Sequence, residues 1–421
     1  MPSARPFLAG RCRRHFALAV LLACWAHGPA AVAAGADQPR SASEGVVSKA
    51  RALTEKLGGS HADHFLVGMG NDGTNSGDDP AYELGINLDL HYHYLVGLSK
   101  EGGWPSWNSN PDYAGKRIAE ARRHGTIPMF TYYCMAAHGE NNLAGSIGNA
   151  QYMATYFRDY SQLLATIQAS GLPVVVQLEP DFWGFAQQAA SAAGGPSKVV
   201  ANVGASAAQE CSREPDNLVG LGRCLISLAR SRAPRALVGL HASAWGSKAD
   251  VLLNTNPKLD IEAEAAKTAA FLRAVGAADG NFISIDFSDR DAGCYEAGYV
   301  ENGKAICSKR TGVYWDEANV ALPNFRQALA WSAAIARDLS IPILWWQLPF
   351  GTPSSNTGGK AGYFRDNRVH YIFGHIGEFV AAGGVGAVWG AGAAGQTSVT
   401  TDGDAFKRAV NAYLRNPVGL R

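Results

Sequence analysis

Two apolar, strand-like runs end in crowded carboxylates. Val174-Val175-Val176-Gln177-Leu178 leads into Glu179-Pro180-Asp181-Phe182-Trp183, and Ile283-Ser284-Ile285-Asp286-Phe287-Ser288 leads into Asp289-Arg290-Asp291. Alternation along an extended chain sends Gln177, Glu179 and Asp181 to one face, and Ser284, Asp286 and Ser288 to one face of the other run. Hydrolysis of a glycosidic bond needs such a pair: a protonated carboxyl donates to the leaving oxygen while an ionised one attacks or activates water. Crowding among aromatic residues is how one such pKa is held high and the other low. Glu179, Asp181, Asp286 and Asp289 are therefore the candidate catalytic residues. A plainer role stands beside each, because an acid at a strand end also caps the next helix or pairs with a base, as Arg290 would do for one of its neighbours.

Around these acids the sequence offers groups that could hold a substrate. Asp89-Leu90-His91-Tyr92-His93 sets Asp89, His91 and His93 on one face, and His241 precedes Trp245 at another strand end. Trp183, Trp245, Trp345 and Trp389 also fall at strand ends or in the loops that follow, with Gln347 beside them. Aromatic faces stack on the apolar faces of sugar rings. Tryptophan also simply packs barrels, and of Trp345 and Trp346 only one can face inward. The expected substrate-binding set is Asp89, His91, Trp183, His241, Trp245, Trp345, Gln347 and Trp389. The chemistry requires no cofactor and no metal. His91-Tyr92-His93 nevertheless has the His-x-His form of metal-dependent amidohydrolase barrels, with His241 and Asp286 or Asp289 as further ligands, and this is the alternative reading. A catalytically silent sugar-binding barrel is a third.

The elements that must position these residues alternate. Eight runs rich in β-branched, aromatic or glycine residues cover 64–71, 87–95, 126–135, 172–179, 235–244, 281–287, 341–348 and 384–390. Helical patterns lie between most of them, over 112–124, 150–170, 217–232, 257–275, 323–339, 367–382 and 405–414, and a capping box at Ser41-Ala42-Ser43-Glu44 opens another that stops at Gly58-Gly59. Strands alternating with helices pair in parallel through crossovers, and eight of them suggest closure into a (β/α)8 TIM barrel spanning residues 35–421 as one domain. Residues 72–85 are too short and too rich in Gly and Asp for a full helix, so the first crossover should be irregular. In such a barrel the chemistry sits at the carboxyl ends of the strands.

Leu178-Glu179-Pro180-Asp181 resembles the Glu-Pro-Asp motif of family 6 glycoside hydrolases, inverting cellulase and cellobiohydrolase barrels, and follows a long helix as it does there. The likeness covers the third to fifth strands and implies a sugar-acting barrel. The third strand departs from that family, ending Tyr132-Tyr133-Cys134-Met135-Ala136-Ala137 without the aspartate that serves there as general acid. Glu179 is also similar in position to the acid/base of retaining barrels with Glu on strands four and seven, but Trp346-Gln347-Leu348 stands where their nucleophile would be. The missing seventh-strand acid favours inversion.

Composition bounds the rest. The chain has 421 residues, 47% of them hydrophobic and 17% charged, enough to bury a large core. Its net charge of +1 rests on Arg5, Arg11, Arg13 and Arg14, and no run of Lys and Arg resembles a nucleic-acid footprint. Those arginines, an apolar run from Phe16 to Trp25 and the small residues Pro29 to Ala34 read as a signal peptide over 1–34, with Arg13-Arg14 like a twin-arginine core and Leu21-Leu22-Ala23-Cys24 like a weak lipoprotein box. No later run spans a bilayer. An exported, periplasmic or secreted enzyme acting on carbohydrate follows; the oligomeric state is not readable. Cys211 with Cys224 and Cys294 with Cys307 share one spacing and are expected as disulfides, leaving Cys134 as a buried thiol.

Overall fold

The computed structural model describes residues 43–70, 80–135, 139, 141–354 and 360–420. The segment 1–34 expected as a signal peptide, with its arginines and Cys24, lies outside them. Eight strands close into an all-parallel barrel: β1 (Leu66–Gly70), β2 (Leu90–Val96), β3 (Ile127–Tyr133), β4 (Val174–Leu178), β5 (Ala236–His241), β6 (Phe282–Asp286), β7 (Ile343–Leu348) and β8 (Gly384–Trp389), each paired with its chain neighbours and β8 with β1. Each expected run holds one strand. Nearly every strand residue is buried, as befits strands walled by side chains inside and helices outside.

The helices begin and end where the chain supplies the chemistry. Helix α1 (Glu44–Leu57) has Ser43 at its cap, two residues beyond the expected Ser41 and without a side-chain bond. Asp112 caps α2 (Tyr113–His124) by accepting from Gly115 N, Asn149 caps α3 (Ala150–Ser170), and Asn217 caps α5 (Leu218–Arg232). Glycines 125, 171 and 194 end α2, α3 and α4 (Phe182–Ala193) in the left-handed conformation. Helices α6 (Ile261–Ala274), α7 (Ala292–Ala297) and α8 (Phe325–Leu339) follow, then α9 (Arg368–Gly374) and α10 (Ile376–Ala381), which break at His375 where one helix was expected, and α11 (Ala405–Tyr413). Helix α4 was not anticipated. In the first crossover the described part is a single helical turn, Pro80–Glu83.

Between β6 and α8 the chain makes an excursion whose small core, built on Ala292, Cys294, Tyr295, Cys307 and Val313, is completed by Phe364 from the loop after β7, and which carries a short hairpin, Val300–Glu301 with Lys304–Ala305. The Cys294–Cys307 disulfide sits in that core, and Cys211–Cys224 joins the loop before α5 to the helix itself. Cys134 is free and buried. Among the described residues no helix is long and apolar enough to cross a membrane.

Candidate active site

Which strand side chains face inward is settled by contacts between strands that are not neighbours. Tyr92 and Tyr94 of β2 meet Trp346 of β7 at ring-centroid distances of 6.2 and 5.9 Å, and His241 of β5 meets the same indole at 6.0 Å. Such contacts can only cross the barrel. By alternation, Asp286 of β6 shares this interior with His241, whose Nε2 lies 3.5 Å from Asp286 Oδ1.

Above this layer the carboxyl ends of β2 to β7 surround a cavity of about 680 Å3. Four carboxylates line it: Asp181 after β4, Asp250 in the loop after β5, Asp286 at the end of β6 and Asp289 just beyond. Tyr94, Tyr133, Phe185, Trp245 and Trp346 supply aromatic walls, and Arg290, Arg310, Ser288 and Gln347 complete most of the rim. Trp245 leans over α4 because Gly184 leaves room; a Cβ built there would stand 2.5 Å from the indole.

The carboxylates are held differently. Tyr133 Oη donates to Asp181 at 3.4 Å. Asp289 accepts from Tyr295 Oη at 2.7 Å and from Arg290. Tyr295 is a hub, since the Arg310 guanidinium also stacks over its ring at 4.0 Å. Burial raises the Asp250 carboxyl above its usual range and Asp286 adds to the rise, against the pull of Arg310. Tyr94 Oη donates to Gln347 Oε1. Asp181, Asp250, Ser288 and Gln347 all have positive φ, at 64°, 43°, 85° and 53°. Non-glycine residues in that region cost energy and gather where function over-determines the backbone.

Several expected site residues stand elsewhere. Glu179 also has positive φ, 49°, but is wholly buried and turned into the layer between strands and helices. Its carboxyl accepts from Cys134 N and Met135 N at 3.0 Å, and burial pushes it up to about 8 despite those two amides. It ties the end of β4 to the end of β3 and does not line the cavity. Asp89 precedes β2 at the opposite, amino end of the barrel, where it accepts from Val67 N at 2.9 Å and pairs with His61 at 2.9 Å and His64 at 3.1 Å. Burial alone would raise its pKa, but the two imidazoles hold it below the usual value. It is a structural anchor.

The right residues of β2 share a face, but that face looks outward. His91 meets Tyr82, and His93 packs edge-on against Tyr113 of α2 at 6.4 Å. Burial depresses the His93 imidazole well below its ordinary pKa, and His91 and Arg117 add to this. The His-x-His pair therefore faces helices rather than the cavity, and the metal-hydrolase alternative loses its ligands. Trp183 packs against Phe271 of α6 while donating to Leu178 O at 2.9 Å; Trp345 packs on Phe379 of α10; Trp389 stacks on Phe373 of α9. Each fills the layer between strands and helices, because its side chain leaves on the outer face or from a helix. Trp245 and Gln347 line the cavity with Asp181, Asp286 and Asp289, and His241 is buried beneath Asp286 without lining it.

Asp291, the second acid after β6, is buried behind the wall. It accepts from Gly351 N at 2.9 Å and Thr397 N at 2.7 Å, and burial, then Asp366, raises it to about 8. Asp250, Arg310, Tyr94, Tyr133 and Phe185 were not anticipated, and Trp346 was passed over for Trp345. Trp346 and the tyrosines were within reach of alternation, had the inner face been known; nothing in Gly246-Ser247-Lys248-Ala249-Asp250 marks its acid.

No protein-family model and no curated protein matches the chain. Among solved structures, an endo-β-1,4-mannanase double mutant of Cellulomonas fimi aligns with 90% of this chain and 76% of its own at 13% identity, with a TM-score of 0.47. A β-glucosidase in its apo form aligns with 81% and 87% at 15% identity and 0.44, and a GH6 enzyme of Orpinomyces sp. Y102 with 77% and 76% at 13% identity and 0.32. Likeness this slight carries no functional argument, so a functional reading rests on the cavity itself.

Proposed function

We propose that this chain is an exported glycoside hydrolase that cleaves an oligo- or polysaccharide by single displacement, with Asp181 and Asp286 as the working carboxylates. The observation that carries the reading is the cavity at the carboxyl ends of the strands, walled by aromatic rings and lined by four aspartates. Of the four, Asp289 is held by Tyr295 and Arg290 and Asp250 stands in the loop after β5 within the pull of Arg310, so the pair we assign is Asp181, just after β4, and Asp286, at the end of β6. Neighbouring strands lie roughly 4.8 Å apart, so residues two strands apart start about 10 Å apart at the backbone. Side chains converging from there suit the roughly 6.5–9.5 Å of an inverting pair, with space for water, better than the roughly 5–5.5 Å of a retaining one. One carboxyl protonates the leaving oxygen; the other takes a proton from the water that attacks the opposite face of the anomeric carbon. His241, buried beneath Asp286, orients that carboxylate. Export is supported by the basic, apolar and small-residue segments at 1–34 and by the two disulfides.

The test is release of reducing ends from a panel of glycans, followed by proton NMR of the fresh product. Inverted anomers support the reading, retained anomers overturn the mechanism, and binding without release points to a silent sugar-binding barrel.

A further inference from the structure

The imidazole of His241 stands between two oxygens. Its Nδ1 lies 3.2 Å from Ser243 Oγ, and its Nε2 lies 3.5 Å from Asp286 Oδ1. Both His241 and Ser243 are buried, and among the described residues the Ser243 hydroxyl has no other hydrogen-bond partner. The backbone of α4 closes in on that hydroxyl, since a Cβ built on Gly184 would stand 2.7 Å from Ser243 Oγ. Where the buried protons go decides the state of the ring. With the ring proton on Nε2, Ser243 donates to Nδ1 and the Nε2–H faces the carboxylate, so each proton meets an acceptor. With it on Nδ1, that N–H takes the serine oxygen, the serine proton is left without an acceptor, and a bare Nε2 lone pair faces an oxygen of Asp286. A doubly protonated ring strands the serine proton in the same way. Buried donors without acceptors are costly and rare. At 3.5 Å the Nε2–H contact is long, of the kind that tightens in a Michaelis complex.

Resting on the hydrolase reading above, we infer that Ser243 is a positioning residue: it holds His241 as the Nε2–H tautomer, and that N–H makes Asp286 the base of the pair and Asp181 the acid. An N–H aimed at Oδ1 gives Asp286 the donor a base needs, and keeps that oxygen from holding a proton of its own toward the ring. Asp286 then takes a proton from the water whose oxygen bonds to the anomeric carbon. Asp181 gives its proton to the leaving oxygen as the glycosidic bond breaks, and exchange with solvent restores both.

Proton–nitrogen correlation NMR of the full chain carrying isotopically labelled histidine reads the tautomer directly, because protonated and bare ring nitrogens resonate far apart; His241→Asn identifies the signal. At neutral pH the wild type should show a protonated Nε2 and a bare Nδ1, and Ser243→Ala should move the signal toward the other tautomer or a mixture. A wild-type ring protonated on Nδ1, or an unmoved signal in Ser243→Ala, overturns the inference. On a glycan the wild type cleaves, Ser243→Ala should lose kcat by about ten- to a hundredfold with KM kept, the scale seen when the outer partner that fixes a histidine is removed; an unchanged kcat overturns it too. Dinitrophenyl glycosides of glucose, galactose, mannose and xylose, whose leaving group needs no protonation, separate the two acids. Asp181→Asn should recover most of its loss on them and Asp286→Asn should not; equal recovery or the reverse overturns the assignment. Should the wild type cleave no glycan and no aryl glycoside, the hydrolase reading falls and with it the division between the acids, while the NMR signal still decides the pairing of Ser243 with His241.

Discussion

Glu179 and Asp181 stand two residues apart and face different compartments: Asp181 lines the cavity, while Glu179 is buried among β3, β4 and the helices with its carboxyl on the amides of Cys134 and Met135. Both residues have positive φ, which breaks the alternation that would put them on one face. One acid of the pair faces the cavity and the other holds the strand end that carries it.

Stability should therefore depend on the Glu179 proton. Its carboxyl is raised from 4.5 to about 8, so between these values the folded chain keeps a proton that the unfolded chain has released. Stabilisation is complete below the unfolded pKa and is lost as pH rises through the folded one, by an amount of the order of a few kcal/mol. Asp291, also raised to about 8, acts in the same direction. The denaturation midpoint should fall from pH 5 to pH 8, and Glu179→Gln, which keeps shape and acceptor but no proton linkage, should flatten part of that slope. An unchanged slope in the variant would show that Glu179 does not titrate as described.

The two disulfides should separate stability from chemistry. Each closes a loop of similar size, worth roughly 3 kcal/mol in the chain-entropy model. Replacing Cys211 and Cys224 by serine should lower the urea midpoint and leave kcat/KM alone, because neither cysteine nor the loop they close lines the cavity. Replacing Cys294 and Cys307 should lower the midpoint and also raise KM, since the same small core holds Tyr295, on which Asp289, Arg290 and Arg310 converge. Equal kinetics in both double variants would argue against a role for the excursion in the site.

Asp89→Asn should destabilise without touching catalysis. The buried Asp89 carboxylate serves His61, His64 and Val67 N at the amino end of the barrel, and weakening such a charged hub costs about 1–3 kcal/mol. Thermal unfolding and kcat on the folded fraction check this; a large loss of kcat would return Asp89 to the substrate site.

The barrel was legible because each strand run is short, apolar and punctuated, and because helices separate them. The inner face was not. Strands walled on both sides bury every residue, so alternation groups Asp89 with His91 and Tyr92 with Tyr94 but does not say which group looks inward. The wrong choice on β2 promoted His91 and hid Tyr94. On β7 the same ambiguity selected Trp345 over Trp346. Helix α4 escaped because its first turn, Phe182-Trp183-Gly184-Phe185, reads as a continuation of an aromatic strand end. Asp250 sits in a loop with no periodicity to betray it, and Glu179 was misplaced by a positive φ that no alternation rule anticipates.

The central claim is that Asp181 and Asp286 carry hydrolysis from the cavity, and kcat of the two amide variants tests it most directly. Asp181→Asn and Asp286→Asn keep shape and lose proton transfer, so on any glycan the wild type cleaves each should fall by about a hundred- to ten-thousand-fold with thermal unfolding little changed. Wild-type kcat in both folded variants would contradict the account.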